Sequence, residues 1–427
     1  MNKDTLPHFM CRESRSVISW AVAILLLLAC TVAQPDENEE AARAIHERVI
    51  TLDGHVDIAR PYMLKPEFDP GQTTNMKVDL QKMQQGGLDA AVFTVYVAQG
   101  PRTPEGYAAA KTAANIKFDA LLKMAEVYGD QIAIAYRAED VTRIAAEGKK
   151  VEIIGIENGF VIGGDAAAFE RLDHYYQLGA RYMGLTHTGN NDICDSSSAS
   201  EKLGDKPGEN GGVSPFGRKV IARMNQLGMI VDVSHSSEQC MLQAIEFSRA
   251  PIIASHSGVK AMADSSRNLT DEQMTKLAES GGVMQLVGYS GFIKPDPARD
   301  QAFTDLEEQV RIEFKAEEFS YKLHGYTDSY QSGVEKINRD YPLATVSDLV
   351  DQVVYAIKLM GIDHVGISSD FDGGGELRDW RDASETFNIT RELLSRGFSE
   401  QDIAKIWSGN FLRVWTEVEK TAKAEQL

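Results

Sequence analysis

Eight short apolar runs recur along this 427-residue chain, and run after run closes on a histidine or a carboxylate. The closing residues are His55-Val56-Asp57, Glu157, His187, His235, His256 and Asp370. Runs near-continuous in Val, Ile, Leu and Met are expected of strands buried on both faces of a parallel sheet. When such a sheet closes on itself, the C-terminal ends of all its strands converge on one face, so residues far apart in sequence meet in one pocket. The pattern predicts an α/β chain folded as a (β/α)8 TIM-like barrel, with N and O metal ligands gathered at its mouth.

The runs place strands at about 49–57, 88–97, 151–158, 182–187, 229–235, 251–256, 282–288 and 364–370. Between them, Ala108–Val127, Ala167–Leu178, Pro215–Leu227, Glu238–Phe247, Thr270–Glu279 and Val346–Met360 repeat apolar residues at helical spacing. Gly179, Gly228, Gly281 and Gly361 stand just before the next strand, where a glycine stops a helix and turns the chain. Strand, helix, glycine, strand in this rhythm predicts right-handed βα units. One stretch departs from it. Residues 292–342, between the seventh and eighth strands, form an insertion with one amphipathic helix expected near Asp305–Leu323, on the catalytic face as a lid, a dimer contact or a solvated decoration.

The chain carries 44 Lys+Arg against 63 Asp+Glu, a net charge of −19. That balance argues against a nucleic-acid partner. Residues 1–33 read as an export signal: Lys3, Arg12 and Arg15 precede an apolar stretch, Val17 to Val32, too short for a comfortable span of about 20 residues. Leu27-Leu28-Ala29-Cys30 resembles a bacterial lipobox, which would end the signal at 29 and anchor the chain through a lipid on Cys30. Simple cleavage after Thr31-Val32-Ala33 is the rival, and an uncleaved anchor a weaker third. The expectation is an exported protein, periplasmic or held at the cell envelope, with a linker at 34–44 and one domain over 45–420. Of the four cysteines two fall in the signal. Cys194 and Cys240 could pair, but two inert thiols is the favoured reading, because sequence does not place their Cα atoms in range.

His55 and Asp57 lie two apart on a strand, so both side chains face the same way and can share one divalent ion. A lone His-x-Asp is more often a turn or a hydrogen-bonded core histidine; here it ends an apolar run and has distant partners. Glu157 finishes Ile153-Ile154-Gly155-Ile156, where a carboxylate is costly to bury unless paired or metal-bound. It can bridge two cations, or be a salt-bridged barrel glutamate. His235 and His256 end consecutive strands, each followed by Ser, and two imidazoles can hold a second ion. His187 is a further ligand or, since five ligands suffice for two metals sharing Glu157, a donor to a substrate oxyanion. Asp370 is the candidate proton carrier, whereas Asp372 in a Gly-rich turn reads as structural. Arg267 could fork a substrate carboxylate; taken alone it reads better as a capping or surface arginine.

Together these pieces give a resemblance. Asp53-Gly54-His55-Val56-Asp57, Gly155-Ile156-Glu157-Asn158-Gly159, Leu185-Thr186-His187, Asp232-Val233-Ser234-His235, Ser255-His256-Ser257, Ser266-Arg267-Asn268, Asp370-Phe371-Asp372-Gly373 and Gly409-Asn410-Phe411-Leu412-Arg413 run in the order of the membrane (renal) dipeptidases, peptidase family M19, within the amidohydrolase-like barrels. The chain resembles that family from about residue 45 to 415. The resemblance implies two zinc ions, one on His55, Asp57 and Glu157, the other on Glu157, His235 and His256. It further implies that His187 and Arg267 contact a dipeptide substrate, that Asp370 shuttles the proton, and that the chain is a homodimer. Thr188-Gly189-Asn190 and the 292–342 insertion depart from the family pattern and bear on the substrate rather than the metals. The rivals are a barrel hydrolase of another amide or a lactone, for which Arg267 would be dispensable, and an exported metal-binding protein without activity.

Overall fold

The computed structural model describes residues 37–319 and 321–425; the expected signal, Cys30 and the start of the linker lie outside them. Nine strands form one parallel sheet: β1 (Leu52–Asp57), β2 (Ala90–Tyr96), β3 (Ile132–Ile134), β4 (Lys150–Glu157), β5 (Ala180–Gly184), β6 (Ile230–Asp232), β7 (Ile253–Ser257), β8 (Val283–Val287) and β9 (Val365–Ser368). Eight of them run in the order β1-β2-β4-β5-β6-β7-β8-β9. The ring closes where Asp370 N donates to His55 O and Asp57 N to Phe371 O, at 3.0 and 2.8 Å. The fold is the (β/α)8 barrel that the apolar runs predict. β3, which carries no histidine or carboxylate, pairs with β4 outside the ring and has no counterpart among the predicted strands.

Register decides what each strand presents. Ala90, Val92, Thr94 and Tyr96 pair with Val151, Ile153, Gly155 and Glu157, so this alternate set faces the barrel axis. At the N-terminal ends Leu52, Ala90, Val151, Ile230, Ile253 and Val283 pack with Phe411, Val414, Trp415 and Val418 of the helix Asn410–Glu425, which plugs the barrel floor. The opposite set, with Phe93, Val95, Ile154 and Ile156, packs under the surrounding helices. Apolar residues are thus needed on both faces, which is why the strands read as continuous runs.

The helices begin and stop where local chemistry says they should. Ser214 accepts from Gly217 N ahead of Pro215, and Gly228, at φ 82°, ends that helix in the left-handed region. Thr270 with Gln273 and Thr345 with Asp348 form capping boxes.

Four expectations are corrected. A helix, Glu37–Arg48, already starts inside the acidic segment read as a linker, because His46 anchors it through Thr390 Oγ1 and Gly86 O. The insertion holds two long helices, Pro297–Glu313 and Asp328–Asp340, with a short turn Tyr321–His324 between. Asp296 and Thr327 cap the long pair, which shares a small core of Leu306, Val310, Tyr330 and Ile337. Cys194 and Cys240 are not two thiols but a disulfide with Cα atoms 6.1 Å apart. Finally, the β5, β6 and β9 strands end earlier than predicted, so His187, His235 and Asp370 stand in the turns just beyond them.

Candidate active site

The mouth of the barrel is a cavity of about 500 Å3 whose wall includes Asp57, Glu157, His187, His235, His256, Arg267 and Asp370. His55 is fully buried beneath them. All eight sequence-predicted site residues are therefore brought together. The donor atoms of His55, Glu157 and His256 lie within 4.8 Å of one another, as do those of Glu157, His187 and His235, and those of His55, Asp57 and Asp370.

Glu157 is the centre. Its Oε1 stands 3.1 Å from His235 Nε2, 3.4 Å from His256 Nε2 and 3.8 Å from His187 Nε2, and its Oε2 is 3.6 Å from His55 Nε2. His235 Nε2 and His256 Nε2 also face each other at 2.9 Å. His55 Nε2 is buried and meets no hydrogen-bond partner. Imidazole nitrogens aimed at one carboxylate and at each other have more lone pairs than protons to share, which is how ligands around a cation are arranged.

Electrostatics point the same way. Burial, and then Arg267 and His187 facing it, hold His235 neutral well below the usual histidine value. Burial and His55 do the same to His256. Burial opposes a charged His55, but Glu157, Asp57 and Asp370 prevail and raise it to about 9. Burial pushes the carboxyls of Asp57 and Asp370 up, and Glu157 adds to both shifts. Burial opposes the Glu157 carboxylate, but His55 and His187 hold it well below the usual range, and an anionic centre ringed by N and O donors suits a borderline divalent ion such as zinc. The residues present fit a metal centre.

Further residues fix these side chains, and reading the sequence did not single them out. His55 Nδ1 is 2.7 Å from the hydroxyl of Tyr182, a buried residue on the inner face of β5. Asp53 Oδ1 accepts from His55 N and Ser369 N, clasping β1 to the chain just after β9. Asp232 Oδ1 accepts from Ser234 N and Ser255 N across the gap between β6 and β7, and its Oδ2 accepts from Ser255 Oγ. Ser255 Oγ in turn lies 2.9 Å from His256 Nδ1. The available signal was an aspartate inside an apolar run, two or three residues before a histidine.

Backbone strain is concentrated here. His235 (φ 67°), Asp370 (φ 60°), Asp372 (φ 59°) and Asn158 (φ 79°) adopt the left-handed region that side chains with a Cβ avoid. Asp372 accepts from Lys77 N, which ties its turn to the chain before β2, and it also lines the cavity. Gly373 has no room for a side chain: a Cβ there would stand 2.3 Å from Asp370 Oδ1 and 2.7 Å from Asp57 Oδ2.

Arg267 is neither a cap nor a surface residue. It is buried on the cavity wall, its Nη2 donates to His256 O at 3.2 Å, and its Nε meets no partner. Burial lowers it to about 10, against the pull of Glu157, Asp370 and Asp232, so it is charged at neutral pH. The insertion contributes Phe292, Tyr321 and Tyr326 to the cavity, beside Tyr96 and Lys117.

The family model for membrane dipeptidase, peptidase family M19, matches residues 39–427. Dipeptidase tcpJ of Claviceps purpurea is 29% identical over 386 residues, covering 88% of this chain and 78% of its own. Among solved structures, the probable dipeptidase PvdM from Pseudomonas aeruginosa superposes with a TM-score of 0.79 at 34% identity, covering 91% of this chain and all of its own. A metallo peptidase from Rhodobacter sphaeroides, liganded with a phosphinate mimic of the dipeptide L-Ala-D-Ala, shares the fold at a TM-score of 0.67 and 21% identity, with 87% and 99% covered. A barrel whose strand ends bring histidines and carboxylates around one glutamate, matched by that family model from residue 39 onward, places this chain in the membrane dipeptidase family.

Proposed function

We propose that the chain is a zinc dipeptidase that hydrolyses L-Xaa-L-Xaa and L-Xaa-D-Xaa dipeptides. The observation that carries this reading is the buried Arg267 guanidinium, held on the wall of the same cavity as the His–carboxylate cluster. A charged fork there suits the free C-terminal carboxylate of a substrate too short to extend past it. The phosphinate mimic of L-Ala-D-Ala on the Rhodobacter sphaeroides metallo peptidase supports the inclusion of D-residues on the C-terminal side.

His55, Asp57 and Glu157 would hold one zinc, and Glu157, His235 and His256 the other. When bound, the two ions supply Lewis acidity and a water that ionises near neutral pH. Arg267 fixes the substrate carboxylate, which orients the scissile carbonyl over Glu157. His187, on the cavity side of Glu157, donates to the carbonyl oxygen as negative charge develops. Asp370, whose carboxyl burial holds well above its ordinary value, accepts the proton of the attacking water and returns it to the leaving amine.

Export is part of the proposal. The basic and apolar first 33 residues support it, and so does the Cys194–Cys240 disulfide, a bond that persists in oxidising compartments. Lipidation at Cys30 would then hold the chain at the envelope.

The test is cleavage of L-Xaa-L-Xaa and L-Xaa-D-Xaa dipeptides, beside their C-terminal amides and matched tripeptides, by the zinc-loaded mature chain. Chelator-sensitive release of amino acid from free dipeptides, with Arg267→Ala erasing the preference over amides, is the expected outcome. Equal cleavage of amides refutes the carboxylate clamp. No cleavage of any peptide refutes the dipeptidase reading and leaves the lactone or non-enzymatic alternatives.

A further inference from the structure

The active-site cavity does not end at the metal ligands. A second cavity, of about 570 Å3, adjoins it and shares Arg60, Tyr96, Ala98 and Lys117 with it. The remainder of its lining is mostly apolar, with Ala109, Ala113 and Phe160 along the walls and Thr112 among them. Among the described residues, that lining contains two cations, Arg60 and Lys117, and no carboxylate.

Lys117 sits where such a cation can read a substrate. It lies on the helix Pro104–Val127, whose buried face otherwise comprises Ala110, Ala114, Phe118, Ala120, Leu121 and Met124. A lysine on the apolar face of a helix is displaced from its normal solvated position. Only 3% of Lys117 is exposed, and its ammonium lies 5.3 Å from the centre of the Tyr96 ring. Tyr96 stands opposite Glu157 in the sheet register, so the ammonium is beside the His–carboxylate cluster, where its charge also acts on Asp57, and not out on the rim.

The strand order fixes its relation to Arg267. Lys117 belongs to the helix that follows β2, and Arg267 to the loop that follows β7. In the ring β1-β2-β4-β5-β6-β7-β8-β9 these two strands are four staves apart out of eight, on opposite sides of the mouth. If Arg267 holds the C-terminal carboxylate, the N-terminal residue of a dipeptide projects across Glu157 toward Tyr96 and Lys117. Its side chain then enters the second cavity past an ammonium.

We infer that Lys117 is a specificity residue that selects dipeptides with an acidic side chain, glutamyl or aspartyl, on the N-terminal residue. This inference rests on the dipeptidase reading. The carbon chain of a glutamyl residue lies along the alanine wall, and its carboxylate pairs with Lys117, with Arg60 adding attraction from the exposed edge. A charge-assisted hydrogen bond to an ammonium that is itself buried favours the acid over its isosteric amide by about tenfold or more.

The experiment compares kcat/KM for L-Glu-L-Ala, L-Gln-L-Ala and L-Ala-L-Ala in the zinc-loaded protein and in Lys117→Met and Lys117→Arg. The expected result is a Glu-to-Gln ratio of about ten or more that falls to near one in Lys117→Met and is kept by Lys117→Arg. A purely structural lysine would lower all three substrates together and leave the ratio unchanged. Calorimetric binding of free L-glutamate against L-glutamine gives a second readout, expected to favour glutamate only while residue 117 is cationic. A ratio near one in the parent protein, or a preference that survives Lys117→Met, overturns the inference. If none of the three dipeptides is cleaved, the dipeptidase reading fails; glutamate binding that depends on Lys117 then still supports an anion site, and its absence overturns that too.

Discussion

Replacing Tyr182 by Phe tests the metal centre without touching a ligand. The Tyr182 hydroxyl lies 2.7 Å from His55 Nδ1 and 3.4 Å from Gly54 O, at a residue with no exposed surface. If Nε2 of His55 faces Glu157 as a ligand atom, the ring proton must sit on Nδ1, with the phenol oxygen as its acceptor and Gly54 O taking the phenol proton. Removal of the hydroxyl leaves a buried N–H without an acceptor, a loss of about 1–3 kcal/mol. The metal-free protein, whose His55 is cationic at neutral pH, escapes much of this by releasing the Nδ1 proton and keeping the one on Nε2, where Glu157 Oε2 waits at 3.6 Å. A metal-bound imidazole has no such escape, so the loss falls mainly on binding. At about 1.4 kcal/mol per tenfold, zinc affinity should weaken by roughly 5- to 150-fold, in line with other groups that orient ligands. Competition with a chromophoric chelator measures it, and melting of the metal-free variant reports folding. An affinity within twofold of the parent, in a folded variant, would refute the claim that Tyr182 sets the His55 tautomer.

Gly373→Ala places a Cβ against Asp370 Oδ1 and Asp57 Oδ2; activity should fall at least tenfold by ~1.4 kcal/mol of displaced carboxylate, and unchanged kcat/KM would show that this turn yields freely. The Cys194–Cys240 bond closes a loop with a sequence separation of 46, for which chain entropy gives about 4 kcal/mol of stabilisation; urea unfolding with and without reductant should reveal most of it, and coincident curves would mean the thiols are free. Glu152 is buried between sheet and helices with neither oxygen hydrogen-bonded, and burial lifts its carboxyl well above the ordinary value. Its neutral form is the one the fold accepts, so its contribution is intact below the unfolded-state value and is lost as pH rises toward the folded one. Glu152→Gln should flatten the decline of Tm between pH 5 and 9, and parallel Tm profiles would place the cause elsewhere.

The sequence by itself determined the barrel and the residues that gather at its mouth. A strand buried on both faces must be apolar throughout, so a histidine or carboxylate at its end stands out, and His55, Asp57, Glu157 and His256 could be read directly. His187, His235 and Asp370 were legible as residues but not as geometry. Their strands stop short, and the turns that carry His235 and Asp370 take positive φ values that only the closing of the ring makes tolerable. Arg267 shows the limit most clearly: in sequence it is a loop arginine, and only the return of that loop over β7 buries it against His256 O. The same holds for Tyr182, Lys117 and the Cys194–Cys240 pair. Each depends on which neighbour the tertiary structure brings close, across 127 positions from Tyr182 to His55 and 46 between the cysteines. Local periodicity records which face of an element is buried, but a hydrogen bond or a disulfide needs the position of a second element, and that is decided only when the barrel closes.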